Sequence, residues 1–578
     1  MLNLHLRKFD VPTKTMTTFW LVAASLCTSM GWLLPNNFPP WLSFHKEAWA
    51  AVSLLLVSGW VLIRHRENTD LHVLPLVVAI CATIPLLQHV AGLIPLFGDA
   101  WIQSLYLLGF FLALQVGEKW ERETAGQCAD FLFLAIGVAS VVSTGIQLHQ
   151  WLALKTEAAL WMLGNGTPNR YYANLAQANL LSSLLLMGVL ACFWAYYRQK
   201  LAGWVASLAA VFILLGVVLA GSRTAWVTIF LLTVATFLLR KRMPPHMKVW
   251  VAPALAGYFY FLALAMPTIN RFLAIPEHDF SLELRGIQDS ARLDGWRMLL
   301  DASTLQPWLG FGWGQVTQAT FSVVAQYPVQ QGIFRHAHNL VLDLILWNGY
   351  PLGLALAAFL AWWVWRVLSQ ASQIGQYAVI AALVVIGIHA MLEFPLTYVY
   401  FLMPLGLLLG TLNTSLGFRP VVVTNAWCNV ALWAAIVAGL SVSVRDYLRV
   451  ETSFYGLRFE NRGIPSPIPK TPPDVIVLTQ WRDVIAFSRN VPRGGLSDAE
   501  LEHMRGIVKT VPTPLTMNRL AANLAMNHLP EEAFKWLTIG CKTYPEFLCR
   551  SMEARWRQEA ASNPQMAVVP WPKVTYKP

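Results

Sequence analysis

The chain has 578 residues, of which 56% are apolar and only 13% charged, about half the roughly 25% charge of a soluble domain. A string of ordinary water-soluble domains is therefore excluded. The net charge of +11, from 42 Lys+Arg against 31 Asp+Glu, would by itself suit nucleic acid. The charges sit between apolar stretches, however, as topology signals do, and no nucleic-acid partner is expected.

From the N-terminus, Arg7, Lys8 and Lys14 precede an apolar run from Phe19 to Leu34 that no small-residue cleavage site follows, so the first span is expected to remain as an anchor. A window of about 19 residues places further spans near 48–63, 73–88, 101–117, 129–148, 174–197, 203–221, 224–239, 249–266, 340–368, 376–394, 398–417 and 426–444. Several fall short of the roughly 20 residues that cross a bilayer, and one of them could be re-entrant. The fold class expected is an all-α polytopic membrane protein with about 12–13 transmembrane helices.

With the N-terminus in the cytoplasm, one side collects Arg7, Lys8, Lys14, Arg64, Arg66, Lys119, Arg122, Arg198, Lys200, Arg240, Lys241, Arg242, Lys248, Arg366 and Arg419. The short loops opposite hold Lys46, Lys155, Arg170 and Arg223. This asymmetry is the positive-inside pattern, and it exports a large loop, 267–339, and the tail from 445 to 578. Residues 1–444 form the membrane domain on this reading. The tail opens with a Pro-rich linker, 465–473, and continues as a small helical module. Leu520 to Pro545 reads as a tetratricopeptide-type hairpin turning at His528 to Pro530, with Glu531 and Glu532 opening its second helix. Cys541 and Cys549 lie there, either as a disulfide in an oxidising compartment or as two buried thiols. The seven cysteines contain no CxxC pair and no Cys/His cluster at zinc spacing, so no metal site is expected.

Chemistry in such a chain shows as polar residues that lipid would exclude. The densest cluster is HAHNLVLDLILWNGYPLG, where His336, His338 and Asn339 stand at the entry to a long span. A lone interfacial histidine is ordinarily a satisfied polar residue, but this one has company. GSRTAW puts Arg223 on the side that disfavours cations, where it either snorkels or binds an anion. Arg170 poses the same question in RYYANLAQANL, where Asn174, Gln177 and Asn179 follow; Asn174 and Gln177 would share one helical face. Arg285, Arg292 and Arg297 precede PWLGFGWGQ, whose glycines let backbone approach a ligand or another chain. In HAMLEFPLTYVYF, His389 and Glu393 are spaced i, i+4 on one face, as a functional pair or an interhelical hydrogen-bonding one.

Guanidiniums suit a pyrophosphate, amides and aromatics suit sugars, and a histidine suits removal of a hydroxyl proton. The implied substrate is a lipid carrying a phosphate-linked sugar. These five segments, taken together in their order along the chain, resemble the O-antigen ligase superfamily, and specifically its bacterial protein O-oligosaccharyltransferase branch. The resemblance implies a GT-C-like ligase fold in the bacterial inner membrane, with the site facing the periplasm. It implies transfer of a preassembled glycan from undecaprenyl pyrophosphate to Ser or Thr of a periplasmic, pilin-like protein, inverting and without cofactor or metal. By motif, His338 matches the family's essential histidine, Arg223 its pyrophosphate-holding arginine, and Arg292 its loop arginine, with Arg285 and Arg297 close by. Arg170, Asn174, Gln177 and Asn179 match the donor-binding segment, and Arg285, His336, Asn339 and Glu393 complete the substrate-binding set. Three alternatives stay open: an O-antigen ligase acting on lipid A core, a glycan polymerase, and, from another class, a polytopic lipid or glycan transporter. The last should show paired repeats with interrupted helices, and no such symmetry is visible.

Overall fold

The computed structural model describes residues 14–65, 68–164, 170–243, 247–275, 282–330 and 332–576, with side chains from 18 onward except 282–292. Arg7, Lys8 and Arg66 of the topology signal lie outside the described residues.

Ten helices come first: α1 Lys14–Leu33, α2 Phe44–Arg64, α3 Val73–Cys81, α4 Ile84–Val90, α5 Phe97–Glu123, α6 Gln127–Trp151, α7 Ala178–Tyr197, α8 Gly203–Ala220, α9 Arg223–Leu238 and α10 Val251–Phe272. The 267–339 region carries α11 Leu282–Leu305 and α12 Val316–Val323. Then follow α13 Leu340–Gln370, α14 Ile374–Ala390, α15 Val399–Ser415 and α16 Ala426–Glu460. The tail adds α17 Thr479–Arg489, α18 Asp498–Thr510, α19 Pro514–Met526, α20 Pro530–Thr543, α21 Glu546–Ala560 and α22 Pro564–Ala567.

The molecule is a polytopic all-α membrane protein. Among the described residues nine helical segments are long and apolar enough to cross a bilayer, and four shorter apolar helices occupy the other expected span positions. Two short strands, β1 Thr69–Leu71 and β2 Val422–Thr424, pair antiparallel with Asp70 opposite Val423. The span expected at 73–88 is two helices, because Pro85 stands in the first turn of α4 and cannot donate a backbone hydrogen bond. α2 starts four residues earlier than expected, so Lys46 is buried inside it instead of lying in a loop.

The central pair is α5 and α15, with α2, α6 and α16 against them and α1, α7 and α8 beyond. α5 has 27 residues, about 40 Å at 1.5 Å per residue, and so marks the two ends of the bundle. At its C-terminal end the buried Glu118 accepts from Asn413 Nδ2 (2.7 Å) and pairs with His72 Nδ1 (2.9 Å). Its N-terminal end abuts the tail, where the Gly98 N–H donates to Thr479 Oγ1 (3.1 Å).

The tail is docked on the membrane region. α16 runs unbroken through residue 444, where the sequence suggests a boundary, and carries Asp446. Asp446 Oδ2 accepts from the N–H groups of Ile476, Val477 and Leu478 at 2.7, 2.7 and 3.2 Å, pinning the chain just after the Pro-rich stretch. Beyond it, α17–α22 share one apolar core with α12 and the start of α13, Trp536 packing edge-on against Phe321. The expected hairpin is present as α19 and α20, with His528 at φ +61° in its turn. Cys541 and Cys549 are bonded.

Candidate active site

Four expected site residues, from three separate segments, form one hydrogen-bonded line. Arg170 Nη2 donates to Asn179 Oδ1 (3.0 Å), Asn179 Nδ2 to Glu393 Oε1 (3.1 Å), and Glu393 Oε2 stands 3.1 Å from His338 Nδ1. Glu393 is buried while His338 is about a quarter exposed, so the line runs from a covered carboxylate out to an accessible imidazole. A carboxylate only accepts, so the His338 proton belongs on Nδ1 and Nε2 is left with its lone pair.

The local structure fixes this imidazole tightly. Ala337, between the two histidines, is clamped at both ends: its N–H donates to Asp343 Oδ1 (2.7 Å) and its carbonyl accepts from Trp296 Nε1 (2.8 Å). His338 then takes a left-handed φ of +54°, uncommon for a residue with a side chain. Asn339 caps α13, its Oδ1 accepting from Val341 and Leu342 N–H (3.0 and 3.2 Å). His336 stacks on Phe394, ring centres 4.7 Å apart, and the same ring meets His338 edge-on. Burial, with His338 and Arg335 adding repulsion, pushes the His336 pKa down to about 3, so it stays neutral.

Glu393 lies beyond the end of α14 in the turn leading to α15, its N–H donating to the His389 carbonyl (2.8 Å). The shared helical face expected for His389 and Glu393 therefore stops at Ala390. The buried His389 meets Ser183 Oγ of α7 through Nδ1 (2.8 Å), while Glu393 turns to Asn179 and His338.

The RYYANLAQANL segment is irregular before α7. Ala176 at φ +62° separates a single 3-10 turn, Ala173–Leu175, from Gln177, which is the extended residue capping α7. Asn174 and Gln177 consequently do not share a helical face. Asn174 is a buried staple, its Nδ2 donating to the Leu33 carbonyl (2.6 Å) and its Oδ1 accepting from Leu163 N–H (3.0 Å). Gln147 of α6 donates to the carbonyls of Tyr171 (2.8 Å) and Gly216 (3.0 Å), and Tyr171 N–H donates to Leu219 O (3.0 Å). These bonds fasten the Arg170 segment against the end of α8. Two residues on, Gly221 turns the chain at φ +60° and Arg223, exposed, opens α9.

Arg285 and Arg292 have side chains outside the described residues. Position 292 stands four residues before Trp296 on α11, one turn from the residue that clamps Ala337. Arg297 is exposed and pairs with Asp294 (3.6 Å). The PWLGFGWGQ segment approaches the chain's own backbone: Phe311 N–H donates to Leu346 O (2.7 Å) and Tyr350 N–H to Pro307 O (2.8 Å), where α13 breaks at Gly349, φ +74°. A Cβ on Gly349 would lie 2.4 Å from the Trp308 carbonyl, so only glycine fits.

Sequence reasoning passed over Arg335, an exposed cation beside His336, and the buried neighbours Lys46 and Glu47. Two adjacent ionisable residues at the head of an apolar span were the available signal, hidden because the span was started at 48. Tyr398, stacked on Tyr400 with ring centres 5.2 Å apart, was also passed over.

The chain matches two family models: one described as O-Antigen ligase over residues 208–358, which include Arg223 and His338, and one described as Virulence factor membrane-bound polymerase, C-terminal, over 377–559, which include Glu393. It is 29% identical over 525 residues to a General O-oligosaccharyltransferase of Acinetobacter baylyi (strain ATCC 33305 / BD413 / ADP1), covering 89% of this chain and 90% of that protein. It is 24% identical over 332 residues to a ComP-specific O-oligosaccharyltransferase of the same strain, covering 57% and 59%. No solved structure matches.

Proposed function

The chain belongs to the O-antigen ligase superfamily and is a glycosyltransferase, and from that premise we propose that it moves a preassembled glycan from undecaprenyl pyrophosphate to a Ser or Thr of a periplasmic, pilin-like protein. The observation that supports this reading is the hydrogen-bonded line from Arg170 through Asn179 and Glu393 to His338; on this proposal His338 is the base toward the acceptor and Arg170 the cation toward the donor. The bacterial inner membrane, with this site outward, is the setting.

The reaction is one displacement. The acceptor oxygen attacks the anomeric carbon as His338 Nε2 takes the hydroxyl proton. The bond from that carbon to the pyrophosphate oxygen breaks with inversion, and its electron pair leaves on undecaprenyl pyrophosphate. Glu393 stabilises the imidazolium as it forms. Arg223 and Arg170, with Arg292 as the loop's contribution, offset the charge growing on the leaving group, so full activity in chelator is expected. A serine hydroxyl is a weak nucleophile, and leaving-group stabilisation is the larger contribution. Both oligosaccharyltransferase relatives and the exported tail favour a protein acceptor over lipid A core.

The test is a cell supplied with a lipid-linked glycan and a co-expressed pilin, comparing wild type with His338→Ala and Arg223→Ala, each verified in the membrane. Pilin glycosylated by wild type alone is expected. Lipopolysaccharide gaining the glycan while pilin stays unmodified would transfer the reading to an O-antigen ligase.

A further inference from the structure

α2 enters the bundle with two neighbouring ionisable residues, Lys46 and Glu47, 1% and 3% exposed. Consecutive helical residues point about 100° apart, and these two reach different segments. Lys46 Nζ donates to the Asn174 carbonyl (2.9 Å). Glu47 accepts from Trp41 Nε1 (3.1 Å) and Ser43 Oγ on one oxygen, and from Tyr106 OH and Val399 N–H (3.2 Å) on the other. The Trp41 indole and the Val399 amide can only donate, so each carboxyl oxygen of Glu47 is held as an acceptor. Burying two ionisable side chains is costly before their hydrogen bonds offset it, and apolar side chains would fill the same space without that cost.

What the two residues hold explains their presence. Val399 follows a tight turn in which Thr397 N–H donates to Phe394 O (3.2 Å) and Tyr398 N–H to Pro395 O (3.3 Å). Fixing Val399 therefore fixes Phe394, the ring against both histidines, and with it Glu393. On the other side, Asn174 is four residues from Arg170, and Ala173 between them is gripped by Gln150 at its N–H (2.9 Å) and carbonyl (3.2 Å).

We propose that Lys46 and Glu47 are paired positioning residues, Lys46 setting the Arg170 segment and Glu47 the Glu393–Tyr398 turn, so that one turn of α2 fixes the spacing between the donor-facing cation and His338. This rests on the transferase reading given above.

The experiment uses full-length enzyme in liposomes, a lipid-pyrophosphate-linked glycan and an acceptor pilin, with rates per folded enzyme. Lys46→Met is expected to raise KM for the donor about tenfold with kcat little changed. Glu47→Gln is expected to lower kcat about 100-fold, the scale of a misplacement near 1 Å. Tyr106→Phe removes one donor from Glu47 and should lower kcat less far, again with KM for the donor little changed; it decides the matter if Glu47→Gln does not fold. KM and kcat both unchanged per folded enzyme in these variants, at whatever yield, would overturn the proposal. A wild type that transfers nothing would instead contradict the parent reading.

Discussion

Glu393 accepts from an amide on one oxygen and faces an imidazole on the other, so an amide in its place cannot serve both. Glu393→Gln is expected to lower kcat about 100-fold, as a misdirected catalytic group does, while binding the lipid-linked donor with nearly unchanged affinity; a donor-binding assay beside single-turnover rates checks this. His336 gives a second residue-level expectation. Its pKa is lowered in the folded protein to about 3, against about 6.5 unfolded. Its contribution to stability is therefore complete above about pH 6.5 and is lost as pH falls towards 3, because the unfolded chain binds the proton first. Thermal unfolding of His336→Asn should show a shallower acid decline than wild type. At this scale the sequence was informative where residue type alone carries chemistry: His338, Arg223, Arg170 and Glu393 each stood out as polar at membrane depth. It was silent on partners, because the Asn179–Glu393 contact joins residues 214 positions apart.

Element boundaries decide which of those residues can meet. The break of α13 at Gly349 receives the turn at Gly310, whose Phe311 bonds Leu346. Gly349→Ala places a methyl 2.4 Å from the Trp308 carbonyl and adds left-handed strain of order 1–3 kcal/mol; a lower melting temperature is expected, read by thermal unfolding in detergent. The helical positions were legible from hydropathy, since long, nearly uncharged apolar runs leave few alternatives, even where four of them are shorter than a full span. Their ends were not. α7 starts at Ala178 because Ala176 turns left-handed, a backbone reversal with no periodic signature and no Gly or Pro to mark it, and α14 ends at Ala390, five residues ahead of Pro395, which signals a break without fixing its position.

For the whole molecule, the positive-inside asymmetry and the docked tail make one topological statement. Cys428 is exposed near the start of α16, at the opposite end of that helix from the tail. A membrane-impermeant maleimide added to cells with a permeabilised outer membrane should leave Cys428 unlabelled and label a Ser562→Cys tail variant; the reverse pattern would invert the orientation. The Pro-rich stretch reads in sequence as an extended linker ahead of a separate helical module, but Asp446 and its three backbone donors hold the tail on α16. Asp446→Ala should cost about 3 kcal/mol or more of docking, from the loss of charge-assisted bonds, and open 465–473 to limited proteolysis.

The most direct measurement is transfer by purified enzyme in liposomes holding the lipid-pyrophosphate glycan, with a pilin acceptor, for wild type, His338→Ala, Glu393→Gln and the double variant. Transfer by wild type, loss in each single variant, and a double variant no worse than His338→Ala are expected, because Glu393 acts through the histidine. Independent, multiplying losses, or a Glu393→Gln enzyme as fast as wild type, would contradict the account.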